Sequence, residues 1–174
     1  SNLVMELLTG RNSPPYKTFD YIGRFAAYLK ACHGEAYAPR ITSYDFSAAG
    51  RGVLIEPPCG SNLWVMETAH SFLCVDGGFP CFQKESLAVL GQLYPNFDSK
   101  EKILLLTHAD VDHCGLIDAF DKVYVSQKCF TNFAREKAGK PNLREENPIH
   151  GPYVRISKIL TGYHPYSTAN FSVI

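Results

Sequence analysis

Two kinds of hydrophobic spacing divide the chain. From Thr18 the apolar positions Phe19, Ile22, Phe25, Ala26, Leu29 and Cys32 fall three or four apart. That spacing predicts an amphipathic helix, with Thr18 as its N-cap and Gly34 as its stop. Ahead of it, Gly10, Asn12, Ser13, Pro14 and Pro15 read as a loop. From residue 51 the apolar runs shorten to strand length. Val53-Leu54-Ile55-Glu56 stops at Pro57-Pro58. Residues 62–68 and 71–76 flank Ala69-His70, which predicts a hairpin ending at Asp76-Gly77-Gly78. Residues 1–50 are therefore expected to be an N-terminal extension with one amphipathic helix, packed on a main domain of residues 51–174.

The rest of the main domain alternates. Phe82 to Leu93 reads as a helix with Leu87, Leu90 and Leu93 on one face. Lys102 to Leu106 is a short apolar strand of the kind buried on both faces. Leu116 to Phe120 reads as a short helical piece, Lys122 to Ser126 as a strand, and Phe130 to Lys137 as a helix. Residues 139–152, with Pro141, Pro148 and Pro152, read as a polar loop. Tyr153 to Leu160 is expected to be a strand, and Phe171 to Ile174 another. Strand and helix alternating after a hairpin predict an α/β fold.

Composition narrows the classes. The chain has 174 residues, 45% of them apolar, which is enough for one cored domain. Lys plus Arg and Asp plus Glu both total 17, so bulk charge gives a nucleic acid or an anionic membrane no support as a partner. No apolar run reaches spanning length, and the first residues lack a basic stretch followed by an apolar one, so neither a membrane span nor a signal peptide is expected. The six cysteines form no Cys-x-x-Cys pair, and reduced thiols in a cytoplasmic protein are expected.

The chemistry concentrates in Thr107-His108-Ala109-Asp110-Val111-Asp112-His113-Cys114-Gly115, directly after the apolar run. Imidazole nitrogen and carboxylate oxygen are the donors that hold divalent metals for hydrolysis or oxygen chemistry. His108 and Asp110 are two apart and can reach one ion together. Asp112 and His113 are adjacent and can address a second. Val111 can anchor the loop in the core, and Gly115 permits a sharp turn into the next element. Cys114 is expected to pack, His70 to sit exposed in its turn, and His150 to border a cleft from its loop. Asp76 could reach the loop as a supporting hydrogen-bond partner or serve only its own turn.

This run resembles the signature of the metallo-β-lactamase-fold superfamily, Thr-His-x-His-x-Asp-His-x-Gly after a buried strand. Thr107, His108, Asp112, His113 and Gly115 match it. The preceding Val75-Asp76-Gly77-Gly78 matches the strand and Asp-Gly turn that lead into it. The resemblance covers about residues 51–174. It implies an αββα sandwich of two mixed sheets flanked by helices, of which this chain would hold about the first half. One or two divalent ions would sit at the sheet edge, zinc first, with iron or manganese as alternatives. His108 would ligate the first ion, and Asp112 and His113 the second. Asp112 would also orient a water or take its proton. A small-molecule substrate is implied, with a further chain segment or a second copy completing the fold.

Two departures from the pattern matter. Asp110 stands where the superfamily has its second His; a carboxylate is a harder ligand and weakens selectivity for zinc. Members with a carboxylate there include flavodiiron-type proteins, which hold two irons. The later His of the pattern finds one candidate, His164 in Thr161-Gly162-Tyr163-His164-Pro165. The bridging Asp and final His would lie beyond residue 174. The resemblance thus implies a metal-dependent hydrolase of an ester, thioester, phosphodiester or lactam bond. The alternatives are a di-iron oxygen or nitric oxide protein, or a binding module that keeps part of the motif.

Overall fold

Seven strands form one sheet in the order in which they occur along the chain. They are β1 (Arg40–Asp45), β2 (Arg51–Glu56), β3 (Leu63–Glu67), β4 (Ser71–Val75), β5 (Glu101–Leu105), β6 (Lys122–Val125) and β7 (Phe171–Val173). In this computed structural model, residues 2–10, 12, 14–46, 50–148 and 150–174 are described; Ser13 of the expected loop lies outside them. Strands β1 to β4 pair antiparallel, and β4 to β7 pair parallel. Helix α3 (Gln83–Leu93) links β4 to β5. Helices α4 (Gln127–Lys137) and α5 (Gly151–Leu160) link β6 to β7. Between β5 and β6 the chain makes the candidate metal loop and a 3-10 turn, Ile117–Ala119, with no α-helix.

Side chains alternate across a strand, and the two faces of this sheet differ. On one face Val53, Ile55, Val65, Phe72, Cys74, Leu104, Val123 and Val125 are fully buried. They form one cluster with Leu90, Tyr94 and Phe97 from the α3 region and Cys129 and Phe133 from α4. On the other face the cross-strand neighbours Leu54 and Trp64, Met66 and Leu73, Val75 and Leu105 are apolar and half-buried. The molecule therefore has one helix layer on one sheet, and an apolar second face with no sheet packed on it among the described residues.

A second, smaller cluster joins the N-terminal region to the loops that follow β2 and β4. Helix α2 (Pro15–Ala31) buries Leu29, and Cys32 beyond its end joins Tyr37 and Phe82. Tyr37 Oη and Ser86 Oγ share a buried 2.8 Å hydrogen bond. Cys59, Phe79 and Leu160 pack around this cluster. All six cysteines are free thiols.

Four local expectations are corrected. Residues 2–10 form helix α1, which reaches into the stretch read as loop. Helix α2 begins at Pro15, where the fixed φ of proline suits a first helical position. Thr18 is consequently inside the helix, and its Oγ1 donates back to the Pro14 carbonyl at 3.2 Å. Strand β1 went unseen because its residues are mostly exposed and mixed in polarity, as suits an edge. Residues 153–160, expected to be a strand, belong to helix α5, with Pro152 in its first turn. The β-branched Val154, Ile156 and Ile159 disfavour a helix only slightly, and proline suits a first helical turn.

Candidate metal centre

The loop lies at the carboxyl ends of β4 and β5, where open α/β sheets collect their ligands. Two turns are clamped together there. Gly77 N donates to the His113 carbonyl at 2.8 Å, and Gly115 N to the Gly78 carbonyl at 2.9 Å. Gly115 does not serve by a left-handed turn. It serves because the backbones touch: a Cβ on Gly115 would sit 2.5 Å from the Phe79 carbonyl oxygen. Gly77 is confined likewise by Leu116 N at 2.7 Å.

Asp76 is the centre of this clamp. Its carboxylate accepts from Thr107 N at 2.9 Å and from Thr107 Oγ1 at 2.8 Å. It also lies 2.9 Å from His113 Nδ1, out of line for a good hydrogen bond. Asp76 and Ser61 hold left-handed backbone at φ 59° and 66°, and both lie at the site. Such conformations cost about 1 kcal/mol or more and persist where the surroundings enforce them.

Each histidine is tied back through Nδ1 and presents Nε2. His108 Nδ1 is 2.9 Å from Thr107 Oγ1, and its Nε2 is 3.4 Å from Asp110 Oδ2. His113 Nε2 is 3.4 Å from Asp112 Oδ2, and Ser61 Oγ donates to that same oxygen at 3.0 Å. The two imidazole rings are 3.9 Å apart between centroids. Two donors sharing one tetrahedral ion at roughly 2.1 Å are themselves about 3.4 Å apart. Both His–Asp pairs thus have the spacing of donors to a common ion, with the backing that orients metal-bound histidines. The residues fit a metal as two two-donor pairs. Among the described residues no three such donors converge on one point.

The charges of the two histidines diverge. For His113, burial favours the neutral ring, but the close carboxylates of Asp112 and Asp76 more than offset it and raise its pKa to about 9. For His108, burial and the neighbouring His113 lower the pKa despite the carboxylates nearby. Burial raises the Asp112 and Asp76 carboxyls, yet the facing His113 ring and hydrogen bonds from Ser61 and Thr107 leave both below the usual range. Burial pushes the Cys114 thiol far up; it packs in the core and donates to the Asp110 carbonyl at 2.9 Å.

Two expected site residues have other partners. Asp110 forms an ion pair with Arg144 as well as facing His108. His164 is exposed and pairs with Asp118 Oδ2 at 2.8 Å, and no contact joins it to the loop among the described residues. His150 borders the cavity beside Asp110. Sequence reasoning missed Ser61 and Arg144. Ser61 follows Gly60 in a turn that only tertiary contact brings to Asp112, and Arg144 stands in a polar loop with no distinguishing pattern.

No family model matches the sequence, and no curated protein matches it. Solved structures do. The metallo-β-lactamase MIM-1 from Novosphingobium pentaromativorans aligns with a TM-score of 0.51 at 17% identity, over 83% of this chain and 50% of its own. The chain has the metallo-β-lactamase fold, in part. Its sheet and helix layer are one half of the αββα sandwich that defines the metallo-β-lactamase fold, and the free apolar sheet face is where the second sheet of such a sandwich packs. A metallo-β-lactamase with a HARLDQ motif from Cronobacter sakazakii aligns at 0.44 and 16% identity, over 58% of this chain and 39% of its own. A flavoprotein from Thermotoga maritima aligns at 0.44 and 15%, over 58% and 30%. The chain spans half or less of the length of each of these structures.

Proposed function

We propose that this chain is the motif-bearing half of a metal-dependent hydrolase acting on an ester, thioester, phosphodiester or lactam bond of a small molecule. One observation carries the reading. His108 with Asp110, and His113 with Asp112, each present donors 3.4 Å apart, both histidines being backed by the Thr107–Asp76 clamp. His108 and Asp110 would hold a first divalent ion, and Asp112 and His113 a second. A bound ion would polarise the scissile bond and acidify water near neutral pH.

The chain's own residues divide the remaining work. Asp112, held ionised by His113 and Ser61, suits a ligand or a water-orienting acceptor at Oδ better than a strong base. Asp76 fixes the His113 ring through Nδ1 and the start of the loop through Thr107. A second segment, in the same polypeptide or a second copy, would add the missing donors and cover the free sheet face. Asp110 also sustains a second reading, a di-iron redox protein, since a carboxylate favours a harder ion than zinc.

Metal analysis after reconstitution tests both. Zinc bound in preference to iron, and lost in His108→Ala and His113→Ala, is the expected result. Two irons retained over zinc would replace the hydrolase with the redox reading. No metal retained under any condition would overturn both.

A further inference from the structure

Beside the loop lies a cavity of about 390 Å³ between Asp110 and the first turn of α4. Its charged lining is lopsided: Lys128 and Arg144 are permanent cations, and Asp110 is the single carboxylate. Asn132 and His150 add polar groups that can donate. Lys128 has no ion pair among the described residues, although α4 begins one residue before it. A cation in the first turn opposes the helix dipole, so helix energetics do not account for this lysine. Arg144 is held by Asp110, the residue that also faces His108. A cation taken up by the His108–Asp110 pair would compete for that carboxylate and leave the guanidinium seeking another anion. A second cavity of about 270 Å³ continues past Arg144 and His150 to Asp112. A molecule spanning both cavities would pass His108, Asp110 and Asp112.

We propose that the cavity between the loop and α4 receives an oxyanion of the substrate, a carboxylate or a phosphate, bound by Lys128 and Arg144. The substrate class is then an anionic small molecule whose charged end sits beside the scissile bond. This inference rests on the metal-hydrolase reading for its second cation, Arg144, but Lys128 is available without metal.

The test is ligand-observed NMR on the full chain, with and without zinc, using phenylphosphonate, benzoate and neutral benzyl alcohol as probes. Zinc binding is measured in parallel by competition with a chromophoric chelator. The expected result is that one or both anions bind roughly tenfold tighter than benzyl alcohol. Lys128→Gln should remove most of that preference while leaving zinc affinity unchanged, which separates the cavity from direct coordination to metal. Arg144→Gln should remove preference chiefly in the zinc-loaded protein. The stronger of the two anions names the group. Equal binding of all three probes overturns the proposal, as does a preference untouched by both variants. Zinc failing to bind while a Lys128-dependent preference persists would sink the hydrolase reading and support the cavity.

Discussion

Replacing His113 with Gln should flatten part of the pH dependence of stability in the metal-free protein. His113 lies between the carboxylates of Asp76 and Asp112; its own side chain is 19% exposed and that of Asp76 11%, so solvent screens this pair little, and the more open Asp112 contributes less. Its pKa rises to about 9 against an ordinary 6.5, so the folded state holds the proton more tightly than the unfolded chain. That contribution is fully present below pH 6.5 and is lost as pH rises through 9. Between about pH 5 and about pH 8 the wild-type protein should give up about 2 kcal/mol that His113→Gln never had. Cys59 and Cys81, pushed up by burial to about 11 and about 12, penalise folding only where unfolded thiols ionise, above this window. Urea unfolding in the presence of a chelator, followed by Trp64 on the half-buried sheet face, measures the difference. An equal change in both proteins, to within about 0.5 kcal/mol, would refute the assigned ion pairs.

Three further substitutions probe the clamp and the ligand pairs. Asp76→Ala leaves Thr107 N and Thr107 Oγ1 without their acceptor and His113 without one of its two carboxylate neighbours. It should cost about 3–5 kcal/mol in thermal unfolding and weaken metal binding about 10–100-fold, and a loss below about 1 kcal/mol would deny Asp76 its central place. Gly115→Ala drives a Cβ to 2.5 Å from the Phe79 carbonyl and should cost at least about 2 kcal/mol, read by denaturant midpoint; wild-type stability would contradict the close backbone contact. Asp110→His removes the partner of Arg144 and supplies a softer donor. Zinc affinity should then rise about tenfold in chelator competition, and a fall would show that the carboxylate is itself a preferred ligand.

What the sequence revealed depended on the range of the interaction. The loop 107–115 was legible because its donors are adjacent in the chain and follow an apolar strand. The strands on either side of the 69–70 turn were legible because their faces alternate. Strand β1 was hidden, since an exposed edge carries little hydrophobic pattern. The α5 segment misleads because its β-branched residues favour strands locally, while Pro152 suits the first turn of a helix. Ser61 and Arg144 reach the site only through tertiary contacts 51 and 34 residues from their partners, and no local spacing records that (112 less 61; 144 less 110). Gly115 has no left-handed turn to make; two backbones in contact are the constraint, and no local pattern in the sequence reports such a contact.

The strict chain order of the sheet bears on how the site is built during synthesis. Each strand pairs with the strand made immediately before it, so the sheet can lengthen vectorially as the chain emerges, without waiting for a distant partner. Asp76 follows β4 and Thr107 follows β5, so their clamp can close as soon as those two strands meet. Arg144 and α5 are translated later. The clamp that orients the loop is thus complete without Arg144, whose only tie to it is the ion pair with Asp110 seen among the described residues.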